Sequence, residues 1–202
     1  WGRPVDLEKY WFSHGGITIQ ANLTDVGIDY LRRGETKHAL RSLFNNFGTS
    51  MYTDVRCFTE HPVVELGHGV GPFYKVSGEF KALVWLRAFL LREEGETLHL
   101  ALGAPRRWFE PGQAFGVEGM SSYFGPVTYW IRSSDLSVSA KISLDAARLP
   151  GELVLHLRVP GGRVIESVTI NGKEYGDFDP QSETVRIAEP CDAMTVEVAY
   201  AR

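Results

Sequence analysis

The stretch VSGEFKALVWLRAFLLREEGETLHLALGA, residues 76–104, contains a change of hydrophobic period. Its first part is apolar on two sides of a helix, with Phe80, Leu83, Val84 and Leu91 on one side and Ala82, Trp85, Leu86, Phe89 and Leu90 on the other. A helix that is apolar nearly all round needs neighbours on more than one side. Gly95 provides a C-terminal stop for this helix, and the residues after it alternate as in a strand. The stretch therefore predicts a boundary between helical and β-structure near residue 95.

The residues before this boundary carry helical signals. Thr24 is a plausible N-cap for a short helix that Gly34 can end. From Glu35 onward, apolar residues follow the i, i+3, i+4, i+7, i+11 spacing of an amphipathic helix, namely Leu40, Leu43, Phe44, Phe47 and Met51. We predict three helices within residues 1–95.

The residues after the boundary form short segments with a period of two. LSVSAKISLD, residues 136–145, alternates Val138, Ala140 and Ile142 with serine and lysine, and Asn171-Gly172 is a strong hairpin signal. Short strands without intervening helices are typical of an antiparallel sandwich. The predicted fold class is therefore α+β, with a helical segment over residues 1–95 and a β-sandwich over residues 96–202.

Composition excludes several classes of partner. The net charge is -4 and the pI is about 5.9, which gives no electrostatic footprint for nucleic acid. No stretch reaches the roughly 20 apolar residues that a membrane-spanning helix needs. The two cysteines, Cys57 and Cys191, form no CxxC pair, so a zinc knuckle or a redox motif of that kind is excluded.

A loop rich in polar groups precedes the long helix. TEHPVVELGHGVGPFYKVSGEF, residues 59–80, contains Glu60, His61, Glu65 and His68 among glycines and prolines. Such a loop fits a ligand-contacting site, and the glycines would let the backbone approach a ligand closely. It also fits two solvated carboxylates and ordinary hydrogen-bonded histidines. The H-x3-E-x2-H spacing differs from the helical HExxH pair of metalloproteases, so we expect no metal here.

A second candidate segment is YWFSHGGITIQ, residues 10–20. It places Trp11, His14 and Gln20 beside two glycines. An indole ring can stack on the C–H face of a sugar, and histidine or glutamine can bond its hydroxyl groups. Packing of the aromatic residues in the core is the equally open alternative.

The order of these features resembles the last part of a six-hairpin, (α/α)6-type glycoside hydrolase with its trailing β-sandwich. Residues 14–47 resemble a late helical hairpin, and residues 77–113 resemble the last barrel helix running into the β-domain. Residues 121–135 and 161–180 are similar to the sandwich strands that follow. The resemblance rests on pattern and lacks a diagnostic catalytic signature.

The resemblance implies hydrolysis of a glycosidic bond by two carboxylates, a protonated acid and an ionised partner. On this basis Glu65 and Glu60 are the predicted catalytic residues, and Trp11, His14, Gln20, His61 and His68 are predicted to bind the carbohydrate substrate. This chemistry needs no cofactor. Three helices cannot close a barrel of about twelve helices, so we expect further helices and the general acid in upstream sequence or on another chain.

Two other classes of function stay open at this point. A non-catalytic carbohydrate-binding module would hold glycan on the sandwich or on tryptophan-bearing loops, with Trp11 or Trp130 essential. A structural or assembly domain would bury the apolar helix of residues 80–91 against another polypeptide.

Overall fold

The computed structural model describes residues 11–12, 17–18, 26–52, 57–58, 61–63, 68–70 and 76–201, with side chains over residues 27–44 and 79–201. In the described part of the chain, three α-helices interspersed with short strands precede the strands of a sandwich, so the α+β fold class is confirmed. The chain divides into two compact units, residues 1–88 and residues 89–202. No helix in the described part of the chain is long and apolar enough to cross a membrane.

The helices of the chain are α1 (Val26–Arg32), α2 (Thr36–Ser50) and α3 (Val76–Leu90). Between them and before them lie short strands, β1 (Trp11–Phe12), β2 (Ile17–Thr18), β3 (Met51–Tyr52), β4 (Cys57–Phe58), β5 (His61–Val63) and β6 (His68–Val70). Gly34 follows α1 with a φ of 71°, as the sequence predicts for a residue that ends a helix. The predicted N-cap Thr24 lies outside the described residues.

Helix α3 packs against α1 through a glycine. Trp85 is fully buried, and a Cβ atom at Gly27 would lie 2.8 Å from its indole ring. Only a residue without a side chain lets α1 approach the ring this closely. Phe80 and Leu83, on α3, are 65% and 66% exposed, so part of the apolar surface predicted for this helix faces solvent.

The predicted helix stop at Gly95 is wrong. Helix α3 ends at Leu90, and residues Leu91–Glu94 form strand β7, which pairs antiparallel with β8 (Thr97–Leu100). Gly95 lies in the two-residue turn between them with a φ of 59°. The physical reason is strand pairing across this turn, where Leu91 and Leu100 are partners and both are fully buried. Because Leu91 also fits the helical spacing, the sequence pattern does not distinguish this strand from a longer helix.

The second unit contains two sheets. The remaining strands are β9 (Ala114–Ser122), β10 (Gly125–Ser133), β11 (Ser137–Ser143), β12 (Glu152–His156), β13 (Ile165–Ile170), β14 (Lys173–Tyr175), β15 (Phe178–Asp179), β16 (Thr184–Ala188) and β17 (Ala193–Tyr200). One sheet has the order β14-β13-β17-β11-β10-β9, and the other has the order β15-β16-β12-β8-β7. All pairs are antiparallel except β8 with β12.

The inner faces of both sheets form the core. Leu98, Leu100, Leu153, Leu155 and Val185 come from the five-stranded sheet, and Val127, Tyr129, Ile131, Ala140 and Val196 come from the six-stranded sheet, all fully buried. The alternation predicted for residues 136–145 is confirmed. So is the turn at Asn171-Gly172, where both residues have positive φ as a type I′ hairpin requires.

Candidate functional site

Three of the predicted substrate-binding residues lie on strands of one small sheet. Trp11 is on β1, His61 is on β5 and His68 is on β6. These strands and β2 form a four-stranded sheet with the order β1-β2-β5-β6, all antiparallel. Segments that are about 50 residues apart in the chain are therefore neighbours.

The pairing register of this sheet fixes how close the predicted residues are along the backbone. Trp11 pairs with Thr18, whose neighbour Ile17 pairs with Val63 on β5. Val63 in turn pairs with His68, so His61 and His68 lie on adjacent strands two register positions apart. The predicted glycan-contacting segments 10–20 and 59–75 thus meet in one sheet.

The remaining predicted site residues lie outside the described part of the chain. They are the proposed catalytic carboxylates Glu60 and Glu65 and the proposed substrate ligands His14 and Gln20. Their assignments stay predictions. Because the separation of the two carboxylates decides between a retaining and an inverting mechanism, that choice also stays open.

The outer face of the five-stranded sheet carries a cluster of polar residues that were not predicted as site residues from the sequence. His99 on β8 and His156 on β12 face each other, with 3.2 Å between Nδ1 of His99 and Nε2 of His156. Nε2 of His99 lies 3.8 Å from Oε2 of Glu94, and Arg92, only 8% exposed, lies 3.5 Å from the other oxygen of Glu94. The cluster therefore contains two imidazole rings held between charged groups.

Both histidines are neutral at physiological pH. Burial lowers the pKa of His156 to about 3, and the charges of Arg158, a protonated His99 and Arg186 act in the same direction. Burial also lowers the pKa of His99, partly offset by Glu94. In a neutral pair, one imidazole donates its N–H and the other accepts it. Protonation of the accepting nitrogen would break this hydrogen bond.

Arginines close one end of the sandwich. One guanidinium nitrogen of the largely buried Arg158 donates to the backbone oxygens of Leu102 and Ala104, at 2.6 and 3.0 Å. Arg106 forms two hydrogen bonds to the carboxylate of Glu183, at 2.7 and 2.6 Å. The bonds of Arg158 satisfy carbonyl groups of an irregular segment, and those of Arg106 form an ion pair with Glu183; both roles are structural.

A cleft of about 230 Å³ lies near the same end of the sandwich and is lined in part by Asp135, Arg163 and Tyr200. The Tyr200 hydroxyl donates to the carbonyl oxygen of Leu157 at 3.3 Å, and burial raises its pKa above the ordinary value. The phenol therefore stays protonated near neutral pH. Across the part of the chain with described side chains, no three His, Cys, Asp or Glu residues are placed to hold a metal ion.

No protein-family model matches the sequence, and no curated protein matches it significantly. Three solved structures similar to this chain are described as glycoside hydrolases. A GH127 β-L-arabinofuranosidase from Geobacillus stearothermophilus has 15% identity and a TM-score of 0.41, covering 87% of this chain and 30% of its own. A second GH127 β-arabinofuranosidase has 10% identity and a TM-score of 0.44, covering 87% of this chain and 31% of its own.

A third similar structure, described as a glycoside hydrolase, has 10% identity and a TM-score of 0.44, and the match covers 89% of this chain and 32% of that chain. The chain thus spans less than a third of the length of the structures that it matches.

The sequence could have predicted that both histidines face away from the core. In TLHLALGA and ELVLHLRVP the leucines occupy the core-facing positions, so His99 and His156 fall on the opposite face of their strands. The sequence does not predict the parallel pairing of β8 with β12, which brings the two rings together. That pairing joins residues more than fifty positions apart.

Proposed function

We propose that this chain is part of a glycoside hydrolase that acts on an oligo- or polysaccharide, and that it contributes helices to the wall of a catalytic α/α barrel. Residues 59–75 and 10–20 contact the glycan in this proposal. The observation that supports it best is the β1-β2-β5-β6 sheet, because it joins strands from the two segments that are predicted to bind sugar.

The proposed chemistry needs two carboxylates on opposite sides of the glycosidic bond. One protonates the leaving oxygen, and the other is ionised and either activates water or attacks the sugar directly. We propose that the loop of residues 59–80 supplies one of these groups, with Glu65 as the first candidate and Glu60 as the second. The general acid is then expected upstream of this chain.

Substitution of Glu65 tests this proposal in a protein that includes the upstream sequence. Glu65→Gln keeps the size of the side chain and removes its charge and its proton. If Glu65 acts as acid or base, kcat falls by about 100-fold or more. Release of reducing ends from a panel of oligosaccharides measures the turnover.

The control is Glu79→Gln, in the first turn of α3, where the helix dipole already accounts for a carboxylate. We expect this variant to keep its turnover. Unchanged turnover in Glu65→Gln would remove Glu65 from the catalytic pair and move the test to Glu60→Gln. If the parent protein cleaves none of the glycans, the hydrolase proposal itself fails.

A further inference from the structure

The cleft of about 230 Å³ at the end of the sandwich lies where strand β17 finishes. The most deeply buried residues of its lining are Phe109, Val159 and Tyr200, all of which belong to the core of the sandwich. All of the lining residues lie in the second unit, so the cleft is complete within residues 89–202. Its floor is therefore apolar and is held in place by the core.

Two charged side chains of opposite sign line the same cleft. Asp135 is exposed and lies in the turn between β10 and β11, and Arg163 is partly buried and lies between β12 and β13. Within the part of the chain that has described side chains, neither of these side chains forms an ion pair or a hydrogen bond. A carboxylate and a guanidinium group are thus available to a ligand in this cleft.

The charges around the cleft balance one another. Of the residues next to the lining in the chain, the charged ones are Glu110 and Arg158, one of each sign. Arg106, which donates to the carbonyl oxygen of Val159 at 2.6 Å, is paired with Glu183. Since the two charges on the rim also cancel, the cleft has no net charge, which favours a neutral ligand over an anionic or a cationic one.

Ser134 and Ser137 add hydroxyl groups to the lining. Their Oγ atoms are 2.7 Å apart, and Oγ of Ser134 is also 3.2 Å from the carbonyl oxygen of Ser137. A hydroxyl group has two acceptor lone pairs besides its donor, so both oxygens keep the capacity to accept a further hydrogen bond. The rim therefore offers donors and acceptors above an apolar floor.

The size of the cleft limits its occupant. Its volume is below the roughly 300 Å³ at which pockets for drug-sized ligands begin, so it suits a molecule of about one sugar ring. A sugar ring combines hydroxyl groups, which both donate and accept, with apolar C–H groups. It is also uncharged, so it matches the lining in polarity and in charge.

We propose that this cleft binds one neutral sugar unit. Asp135 accepts hydrogen bonds from its hydroxyl groups, Arg163 donates to them, and the C–H groups of the ring face the apolar floor. The choice of a sugar rests on the proposed function, whereas the choice of a small, neutral and polar ligand rests on the size, charge and hydrogen-bonding groups of the cleft.

Saturation-transfer NMR titration of the 202-residue chain tests the proposal. The probes are D-glucose, D-galactose and D-xylose, and we expect at least one of them to bind. Asp135→Ala and Arg163→Ala should each weaken this binding about tenfold, because each removes a hydrogen-bonding partner that is charged. D-Glucuronate and D-glucosamine should bind no more tightly than the neutral sugars, since the cleft has no net charge.

Matched controls lie at the opposite end of the sandwich strands. Asp192→Ala removes an exposed carboxylate before the first residue of β17, and Arg148→Ala removes an exposed guanidinium group after the last residue of β11. Both variants should bind as the parent does. Failure of the parent to bind any neutral probe, binding insensitive to Asp135→Ala and Arg163→Ala, or tighter binding of a charged sugar or of the zwitterion L-alanine would each overturn the proposal.

This result is distinguishable from the catalytic test. Hydrolysis is read from the protein with its upstream sequence and depends on Glu65, whereas binding is read from the present chain and depends on Asp135 and Arg163. If the longer protein cleaves glycans and this chain binds none of the sugars, the present proposal alone fails. If this chain binds a neutral sugar through Asp135 and Arg163 and the longer protein cleaves no glycan, the hydrolase proposal alone fails.

Discussion

Burial lowers the pKa of the His156 imidazole to about 3 in the folded protein, from an ordinary histidine pKa near 6.5. Burial among Arg158, Arg186 and His99 disfavours the imidazolium ion. Between these two pH values, the unfolded chain binds a proton at this position and the folded chain does not. Lowering the pH in this range therefore favours the unfolded chain, in which the ring can bind a proton, over the fold, in which His99 and His156 form a neutral pair.

This difference predicts a pH-dependent stability. Above pH 6.5 the histidine is neutral in both states, so the stability is fully present there. As the pH falls from 6.5 towards 3, the free energy of unfolding should decrease by up to about 1.4 kcal/mol per pH unit through His156. His156→Gln should make this dependence shallower. Urea unfolding at several pH values between 5 and 7.5, about one unit apart or less, measures it.

Thr184→Val is the matched control, since Thr184 is the cross-strand partner of His156 and is also buried. Its side chain does not titrate in this range, so the variant should change stability by a similar amount at every pH. His99→Gln should act in the same direction as His156→Gln, because the pKa of His99 is also lowered. Equal pH slopes for the parent and His156→Gln would contradict the account of the pair.

At the scale of elements, the hydrophobic period predicts which segments are helices and strands more reliably than where they end. Helix α2 and the hairpin at Asn171-Gly172 follow the sequence closely because each depends on residues adjacent in the chain. The end of α3 does not follow the sequence pattern, because Leu91 fits the helical spacing but lies in a strand and pairs with Leu100. Strand pairing within the β7–β8 hairpin overrides the helical preference here.

The contact between α1 and α3 gives a test at this scale. Replacing glycine with alanine in a helix usually stabilises it by up to about 1 kcal/mol. At Gly27 the added methyl group would lie 2.8 Å from the buried ring of Trp85, so Gly27→Ala should instead destabilise the protein by about 1–3 kcal/mol. Chemical denaturation monitored by circular dichroism measures the change.

A second variant separates this clash from other effects of the alanine. In a Trp85→Leu background, the smaller side chain makes room for the methyl group. Gly27→Ala should then be neutral or stabilising relative to Trp85→Leu alone, giving a coupling energy between the two positions. A stabilising effect of Gly27→Ala in the parent chain would show that the ring moves aside without cost.

For the whole molecule, the sequence predicts helices followed by an antiparallel sandwich. It does so because the hydrophobic periods of 3.6 residues for a helix and 2 residues for a strand are visible in neighbouring residues. The sequence does not contain the pairing of distant strands. That pairing unites Trp11 with His61 and His68 in one sheet and joins His99 to His156. Candidate sites of this kind depend on contacts between segments far apart in the chain.

The exposed side of α3 gives a prediction for the assembly of the molecule. Phe80 and Leu83 are 65% and 66% exposed at a spacing of three residues, and Leu86, 37% exposed, continues the stripe. Neighbouring apolar residues on one helix face are typical of a surface that contacts another polypeptide. In the proposed function, this surface belongs to the wall of the barrel and is covered by helices that this chain does not contain.

We therefore expect the 202-residue chain to self-associate at micromolar concentration, as measured by light scattering on the eluate of a size-exclusion column. Phe80→Glu combined with Leu83→Glu should restore a monomer, since two charges on the stripe oppose its burial. Leu149→Glu combined with Val164→Glu, at exposed apolar positions of the sandwich, should leave association unchanged. A monomeric parent chain would mean that the stripe needs no partner, and the barrel-wall proposal would lose its support from α3. Association that disappears when the upstream sequence is restored would place the missing helices, and the search for the general acid, in that sequence.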